Sequence, residues 1–549
     1  MLPQSLRSSL ATFLLLAITI SQLPHAQAKP DAMNICTPLL KGVSSGKAAI
    51  DDLGEKISQV ATINRRTVDE IKNLLINNEA FRLDHCGRGF FAEIIVLPQQ
   101  SPLPSQVGDP VQIPLPSIVK PKVANAVDKS QTFKLHSKPD SKKTIYLDFN
   151  GERIESTQWN ANFNGGVGWD AVGFSMDRDF FSYTDEELLV IQSVWQSVAE
   201  DFAAFDVDVT TEEPNLERLS RSTESDDEFG TRVLVSNDTV IFKNCKCSGL
   251  AYLGSFDLIG KSHKENQPAW VFTQGVGSNP KYIAESITHE VGHTLGLSHD
   301  GSKGSSYFSG ANGWAPIMGV GFYQPITQWS SGDYFDADNK EDDYKIMAKH
   351  GLKLRADEDS NSIITARKII DVSAFSGIIS NPSDIDFFSF TPSTSEEFTF
   401  KVEPASVSPN LDLSLTLYKR DDSKVKTSSN PPNVIVSGDN AQGLSARITL
   451  NLIAGIEYII EVDGAAVLVG DSEESDYGSL GIYRLTMIRG KDLDKQIIYL
   501  AGNPNSLSNL ANRLILPVEN LDSPKKLLLP VDLEYETAMR VRKFEIYPI

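Results

Sequence analysis

The chain has 549 residues, 40% of them hydrophobic and 22% charged, which excludes a disordered or fibrous protein and is too long for one core. Its net charge of −21, from 72 acidic and 51 basic residues, disfavours a nucleic-acid partner and fits a solvated, solubilising surface. Nothing in the sequence sets an oligomeric state.

The first segment, 1–28, reads as an export signal: Arg7, an apolar run over 10–20, then Ala26-Gln27-Ala28 as a small-x-small cleavage site before Lys29. The apolar run is too short to span a bilayer of about 30 Å, and no other stretch is apolar enough, so stable membrane insertion is not expected. A secreted chain follows.

Residues 29–96 are predicted as a propeptide, a leading module with a helix over 65–81 and a strand over 90–97. Residues 97–141 form a linker and activation region, with prolines at 98, 102, 104, 110, 114, 116 and 121, a density incompatible with helix or central strand. A strand is predicted over 144–149. Thr184 and Glu187 make a capping box opening a helix whose Leu188, Ile191, Val194, Val198 and Phe202 share one face. Further strands are expected over 207–211, 233–235 and 240–242, and at 249–256, GLAYLGSF.

His289, Glu290, His293, Gly296, His299 and Asp300 then fall within HEVGHTLGLSHD. Residues four apart share a helix face, so His289 and His293 can aim two imidazoles at one metal, with Glu290 beside them as general base. Gly296 lets the chain leave the helix through a left-handed turn, returning His299 as third ligand. Three neutral ligands leave one tetrahedral position open, where zinc lowers the pKa of bound water to about 7. With only 8 histidines in the chain, a chance occurrence has a probability on the order of 10⁻⁵.

Over 333–343, Asp333, Asp336, Asp338, Asp342 and Asp343 cluster before a helix near 350. Two readings compete: a Ca²⁺ site, or Asn339 capping that helix, and capping is the simpler. Beyond 355 short alternating strands, 386–391, 398–402, 411–418, 446–452, 457–462 and 482–488, predict a β-sandwich over 356–489. Residues 490–549 remain an unassigned extension whose apolar runs favour β-structure.

HExxHxxGxxH followed by Met318, in GWAPIMGVGFY, resembles the metzincin zinc endopeptidases. Together with IYLDFNGE, AYLGSF and SDYGSLGIYRLT, the chain is similar to secreted reprolysin-like proteases of bacterial type over about 142–489. The resemblance implies an α+β catalytic domain at 142–355, with a twisted mixed sheet plus zinc helix, followed by an all-β, pre-peptidase-like sandwich. It implies His289, His293 and His299 as zinc ligands, Glu290 as base, and Met318 as an apolar floor beneath them. Asp300 looks like the adamalysin branch. Val320 stands where astacin-like members carry a tyrosine ligand, and Tyr323 is better read as packing. The strand at 249–256 would be the edge that pairs with an extended peptide substrate. Asp384 and Asp386 match an acidic pair that binds Ca²⁺ in some such β-domains, though solvated turn aspartates account for them equally.

Four cysteines remain after export. Cys86-Gly87-Arg88 has the local look of a latency thiol that caps the metal, whereas oxidising compartments favour a Cys36–Cys86 disulfide. Cys245 and Cys247 would close a very small ring or pair elsewhere. The expected function is a secreted zinc endopeptidase, made as a zymogen, acting on extracellular protein. The alternative is an adhesion or matrix-binding protein carrying an inactive protease module. Against it, Glu290 and all three histidines are present.

Overall fold

A computed structural model describes residues 36–93, 127–369, 374–420, 443–469 and 474–490, with the backbone of five further short strands. The expected export signal at 1–28 and the proline run at 98–121 lie outside the described residues. Among the described residues no helix is long and apolar enough to cross a membrane.

The protein is mixed α/β with several sheets. The largest has seven strands in the order Phe81–Leu83, Gly89–Glu93, Gly249–Tyr252, Ala269–Phe272, Phe229–Ser236, Lys143–Asp148 and Asp208–Thr210. The last four run parallel, and Gly249–Tyr252 is antiparallel to its neighbour Ala269–Phe272. The outer pair comes from the leading module, so Gly249–Tyr252 is an edge only once that module is removed. On one side of the sheet Ile145, Leu147, Val233, Val235 and Val271 bury against two helices, Asp185–Asp201 and Pro280–Thr294. The other side packs Phe90, Trp159, Leu250, Tyr252 and Trp270 into a second core.

Thr184 and Glu187 do form the expected reciprocal cap, and Ile191, Val194 and Val198 are fully buried, while Leu188 is only half-buried. Three local expectations change. The run at 240–242 is no strand: Phe242–Cys245 is a helical turn, and a short apolar run carries too little periodicity to tell the two apart. The cap before helix Asp343–Lys349 is Asp342, whose side chain accepts from the Lys345 backbone N–H, rather than Asn339. Residues 127–141 pack with the seven-stranded sheet instead of belonging to a linker: Gln192 donates to Thr132 Oγ1 at 2.8 Å, and His136 bridges to Thr210.

The leading module folds around its own core of Leu53, Val60, Ile71, Leu75 and Phe81, with the capped helix Val68–Asn77. Past 356, two antiparallel-rich sheets of five and four strands face each other across Phe388, Phe400, Leu415, Ile448, Val462 and Leu485, giving the expected sandwich. It is docked on the part that carries the seven-stranded sheet. Asp201 accepts from Thr288 Oγ1 at 2.6 Å and from Asn410 Nδ2 at 2.8 Å, and Tyr344 stacks on Tyr477 with centroids 4.5 Å apart. Within 490–549, two pairs of short strands occur: Lys495–Ile498 with Leu514–Pro517, and Lys525–Leu529 with Phe544–Pro548.

Candidate metal centre

Asn279 caps the 15-residue helix Pro280–Thr294, and proline at its first position fits the fixed φ of a helix start. Along that helix His289, Glu290 and His293 are all buried, at 4%, 1% and 0% exposure. The helix ends at Thr294, and Gly296 turns the chain with φ +91°, a conformation costly for residues with a β-carbon. His299 then returns to the same point. Met318 is fully buried and lies against Gly292, where an added β-carbon would come within 2.4 Å of its sulfur. Its carbonyl accepts from the Asp300 backbone N–H at 2.8 Å. The Asp300 carboxyl is buried, and burial, with Glu341 and Asp338 nearby, pushes it well above the usual carboxylate range.

The ring nitrogens behave as a ligand set. His289 Nδ1 and His293 Nδ1 each sit 2.9 Å from a backbone carbonyl, of Ile317 and Leu297, and His299 Nδ1 is 2.8 Å from the Asn78 amide. Carbonyl partners hold the proton on Nδ1, so Nε2 of His289 and of His293 presents a lone pair inward. Nε2 of His293 and of His299 lie 3.1 Å apart, and Nε2 of His289 is buried without a hydrogen-bond partner. Burial first, then the neighbouring imidazole of His293, brings His289 down to about 3, so it is neutral across the physiological range. A buried imidazole nitrogen left without a partner, as at His289, is costly alone and is matched by a cation. The donor set fits zinc.

A fourth donor completes the cluster, one that no local pattern in the chain marks. Glu93, on the leading module's strand Gly89–Glu93, places Oε1 at 3.0 Å from His299 Nε2 and 3.3 Å from His293 Nε2, and Oε2 at 3.8 Å from His289 Nε2. One donor atom from each of the four residues lies within 4.8 Å of the others. Burial would raise Glu93, but the histidines, His299 foremost, hold it well below the usual carboxylate range. Tyr307, from the loop between His299 and Met318, donates its hydroxyl to Glu93 Oε2 and sets its ring 4.3 Å from that of His299. Tyr323 is half-exposed and packs edge-on to Tyr282, as expected of a packing residue.

Cys86 is bonded to Cys36, so it has no thiolate to offer a metal, and the latency-thiol reading is replaced by the disulfide. Cys245 and Cys247 are bonded to each other. Glu290 is pushed well above its ordinary range by burial and by the charge of Glu93. Its carboxylate lies directly over Gly249, where a β-carbon would come within 1.9 Å of Oε1.

In the sandwich, Asp357 joins Asp384 and Asp386 in a second group of carboxylates. Asp384 Oδ2 accepts from the Ser380 N–H and hydroxyl, at 2.6 Å and 2.7 Å, and Asp386 Oδ2 accepts from Tyr483 at 2.5 Å. The Oδ1 atoms of Asp384 and Asp386 are buried and unpartnered, which suits an oxygen-seeking cation such as Ca²⁺.

No protein-family model and no curated protein matches this chain. Partial similarities exist to solved structures. The pre-peptidase C-terminal domain of a Bacillus anthracis collagenase matches at 15% identity and TM-score 0.17, over 24% of this chain and 98% of that one. The periplasmic g-type lysozyme inhibitor PliG of Aeromonas hydrophila matches at 9% identity and TM-score 0.15, over 23% and 96%. PliG of Salmonella Typhimurium matches at 10% identity and TM-score 0.14, over 23% and 99%.

Proposed function

We propose that the chain is a secreted zinc endopeptidase of metzincin type, made in latent form, with a pre-peptidase-like sandwich behind the catalytic domain. The observation that carries this reading is the convergence of His289, His293 and His299, with the buried His289 Nε2 lacking any other partner. Support for the metzincin type comes from the order of elements: mixed sheet with the antiparallel strand Gly249–Tyr252 (the rim strand once the leading module is gone), histidine helix, glycine turn, third histidine, then Met318 packed under the helix.

His289, His293 and His299 would hold the zinc. Bound there, zinc supplies a Lewis acid for a peptide carbonyl. Glu290, one residue past His289 and buried beside the rim strand, takes the proton of the attacking water and passes it to the leaving amine. With the leading strand Gly89–Glu93 gone, the N–H and C=O groups of Gly249–Tyr252 that pair with it would align an extended peptide in its place, which favours a protein over a small-molecule substrate. Tyr307 is in reach of the reacting carbonyl, because it already donates to the carboxylate in that position.

Asp357, Asp384 and Asp386 form a site for structural Ca²⁺ in the sandwich. Export rests on the sequence of the first 28 residues and agrees with two disulfides among the described residues. The test is hydrolysis of a denatured protein mixture by the processed chain. Cleavage stopped by a zinc chelator and abolished by Glu290→Ala supports the reading; cleavage by Glu290→Ala at the wild-type rate removes Glu290 from the mechanism.

A further inference from the structure

The leading module does more than precede the catalytic part. Its strand Gly89–Glu93 enters the large sheet, antiparallel to the rim strand, with Phe90 opposite Tyr252, Phe91 opposite Ala251, Ala92 opposite Leu250 and Glu93 opposite Gly249. Alternation along a strand sends Phe91 and Glu93 to the histidine side and Phe90 and Ala92 to the other core. Phe91 stacks on His293 with centroids 3.9 Å apart and planes 9° apart. The Glu93 carbonyl accepts from the Ser248 backbone N–H at 2.7 Å and from its hydroxyl at 3.0 Å. Arg66 of the module adds contacts to the Gly296 carbonyl at 2.5 Å and to Glu341 at 2.9 Å, and Arg65 pairs with Asp257 at 2.8 Å.

We propose that Glu93 is the fourth ligand of the zinc, and that the 36–93 module is a strand-type inhibitor which stays bound, and inhibiting, after the chain is cut behind it. The inference rests on the zinc-protease reading above. A carboxylate in the fourth position turns an open, catalytic site into a closed one, with no place for water. The same strand fills the groove where substrate would pair. Glu93 lies on the N-terminal side of the proline-rich segment, and the disulfide Cys36–Cys86 closes within the module. A cut between 97 and 122 therefore breaks no contact named here, and activity requires that the module leave or be destroyed.

The experiment uses the full chain, zinc-loaded, with one engineered protease site placed between 97 and 122. Zinc loss to dipicolinate is timed in the intact chain, the cut chain, and the variants Glu93→Gln, Phe91→Ala and Glu290→Ala. The cut chain should elute as one complex, without activity, and lose zinc at the intact rate. Glu93→Gln should lose zinc at least about tenfold faster, and change the visible spectrum of the Co²⁺-substituted chain. Phe91→Ala, which loosens the strand without removing a donor, should also speed the loss, while Glu290→Ala should not. Full zinc occupancy with the wild-type loss rate in both Glu93→Gln and Phe91→Ala overturns the ligand assignment and leaves the zinc-protease reading standing. Separation of the two fragments on cutting, with immediate activity, overturns the bound-inhibitor part. No zinc binding by any form overturns both this inference and the reading beneath it.

Discussion

Gly249→Ala tests the placement of the general base with a single methyl group. Gly249 sits on the rim strand facing Glu290, and an ideal β-carbon there falls 1.9 Å from Oε1, 2.5 Å from Cδ and 2.9 Å from Cγ of that side chain. Ordinary carbon–oxygen contact begins at about 3.4 Å, so the carboxylate must retreat by more than about 1 Å. Glu290 is 1% exposed on a packed helix, so the shift carries it off the line between water and carbonyl. A displacement of that size costs roughly 100-fold in rate, or about 2.7 kcal/mol of transition-state stabilisation. The assay is steady-state hydrolysis of a fluorogenic peptide by chain freed of residues 36–93, with zinc content measured in the same preparation. The loss should fall on kcat, with zinc occupancy intact, because no metal donor is touched. Wild-type kcat with stoichiometric zinc would refute the assignment of Glu290 and the geometry of the cleft.

Three further outcomes follow from other parts of the molecule. Replacing Cys36 and Cys86 together by serine opens a disulfide spanning 50 residues, worth about 4 kcal/mol of module stability on loop entropy; the double variant should leak activity, as should the wild type under reductant. His136 donates to two carboxylates, from Nδ1 to Asp208 at 2.7 Å and from Nε2 to Glu212 at 2.9 Å; burial opposes its charge, yet these partners raise its pKa above the ordinary value. A raised histidine stabilises the fold fully below about pH 6.5 and loses that effect as pH climbs through the folded-state value, so His136→Gln should lower Tm at pH 5.5 and much less at pH 8.5; equal losses would contradict it. Millimolar Ca²⁺ should raise the Tm of the sandwich transition in calorimetry, and Asp386→Asn should remove that response.

How much of this could be read from the chain depended on sequence distance. His289, Glu290, His293, Gly296 and His299 lie within eleven residues, so helix periodicity and one glycine turn bring them together by local geometry, and the structure has them converge. Thr184 with Glu187 was equally legible, because a capping box is a four-residue pattern. Sandwich strands such as Ala446–Leu452 matched because alternating burial has a period of two. Glu93 was not legible: it is 206 residues from His299, and nothing local marks a strand glutamate as a metal donor. Tyr307 lies only eight residues beyond His299, but in a loop, where spacing predicts no direction. Cys86-Gly87-Arg88 shows how little a three-residue likeness decides: the redox compartment already favoured the disulfide over a latency thiol, and Cys36, fifty positions away, holds the sulfur in it. Asn339 and Asp342 are both good caps, and only the fold selects Asp342.

The most direct test of the central claim is zinc analysis paired with proteolysis on one preparation: the chain freed of residues 36–93, wild type and Glu290→Ala, with and without chelator. The account predicts one zinc per chain in both forms, with cleavage of denatured protein by the wild type alone and none after chelation. Zinc bound at one per chain with no cleavage by the freed wild type would contradict it, and would return the sandwich, as an adhesion module, to the centre of the protein's function.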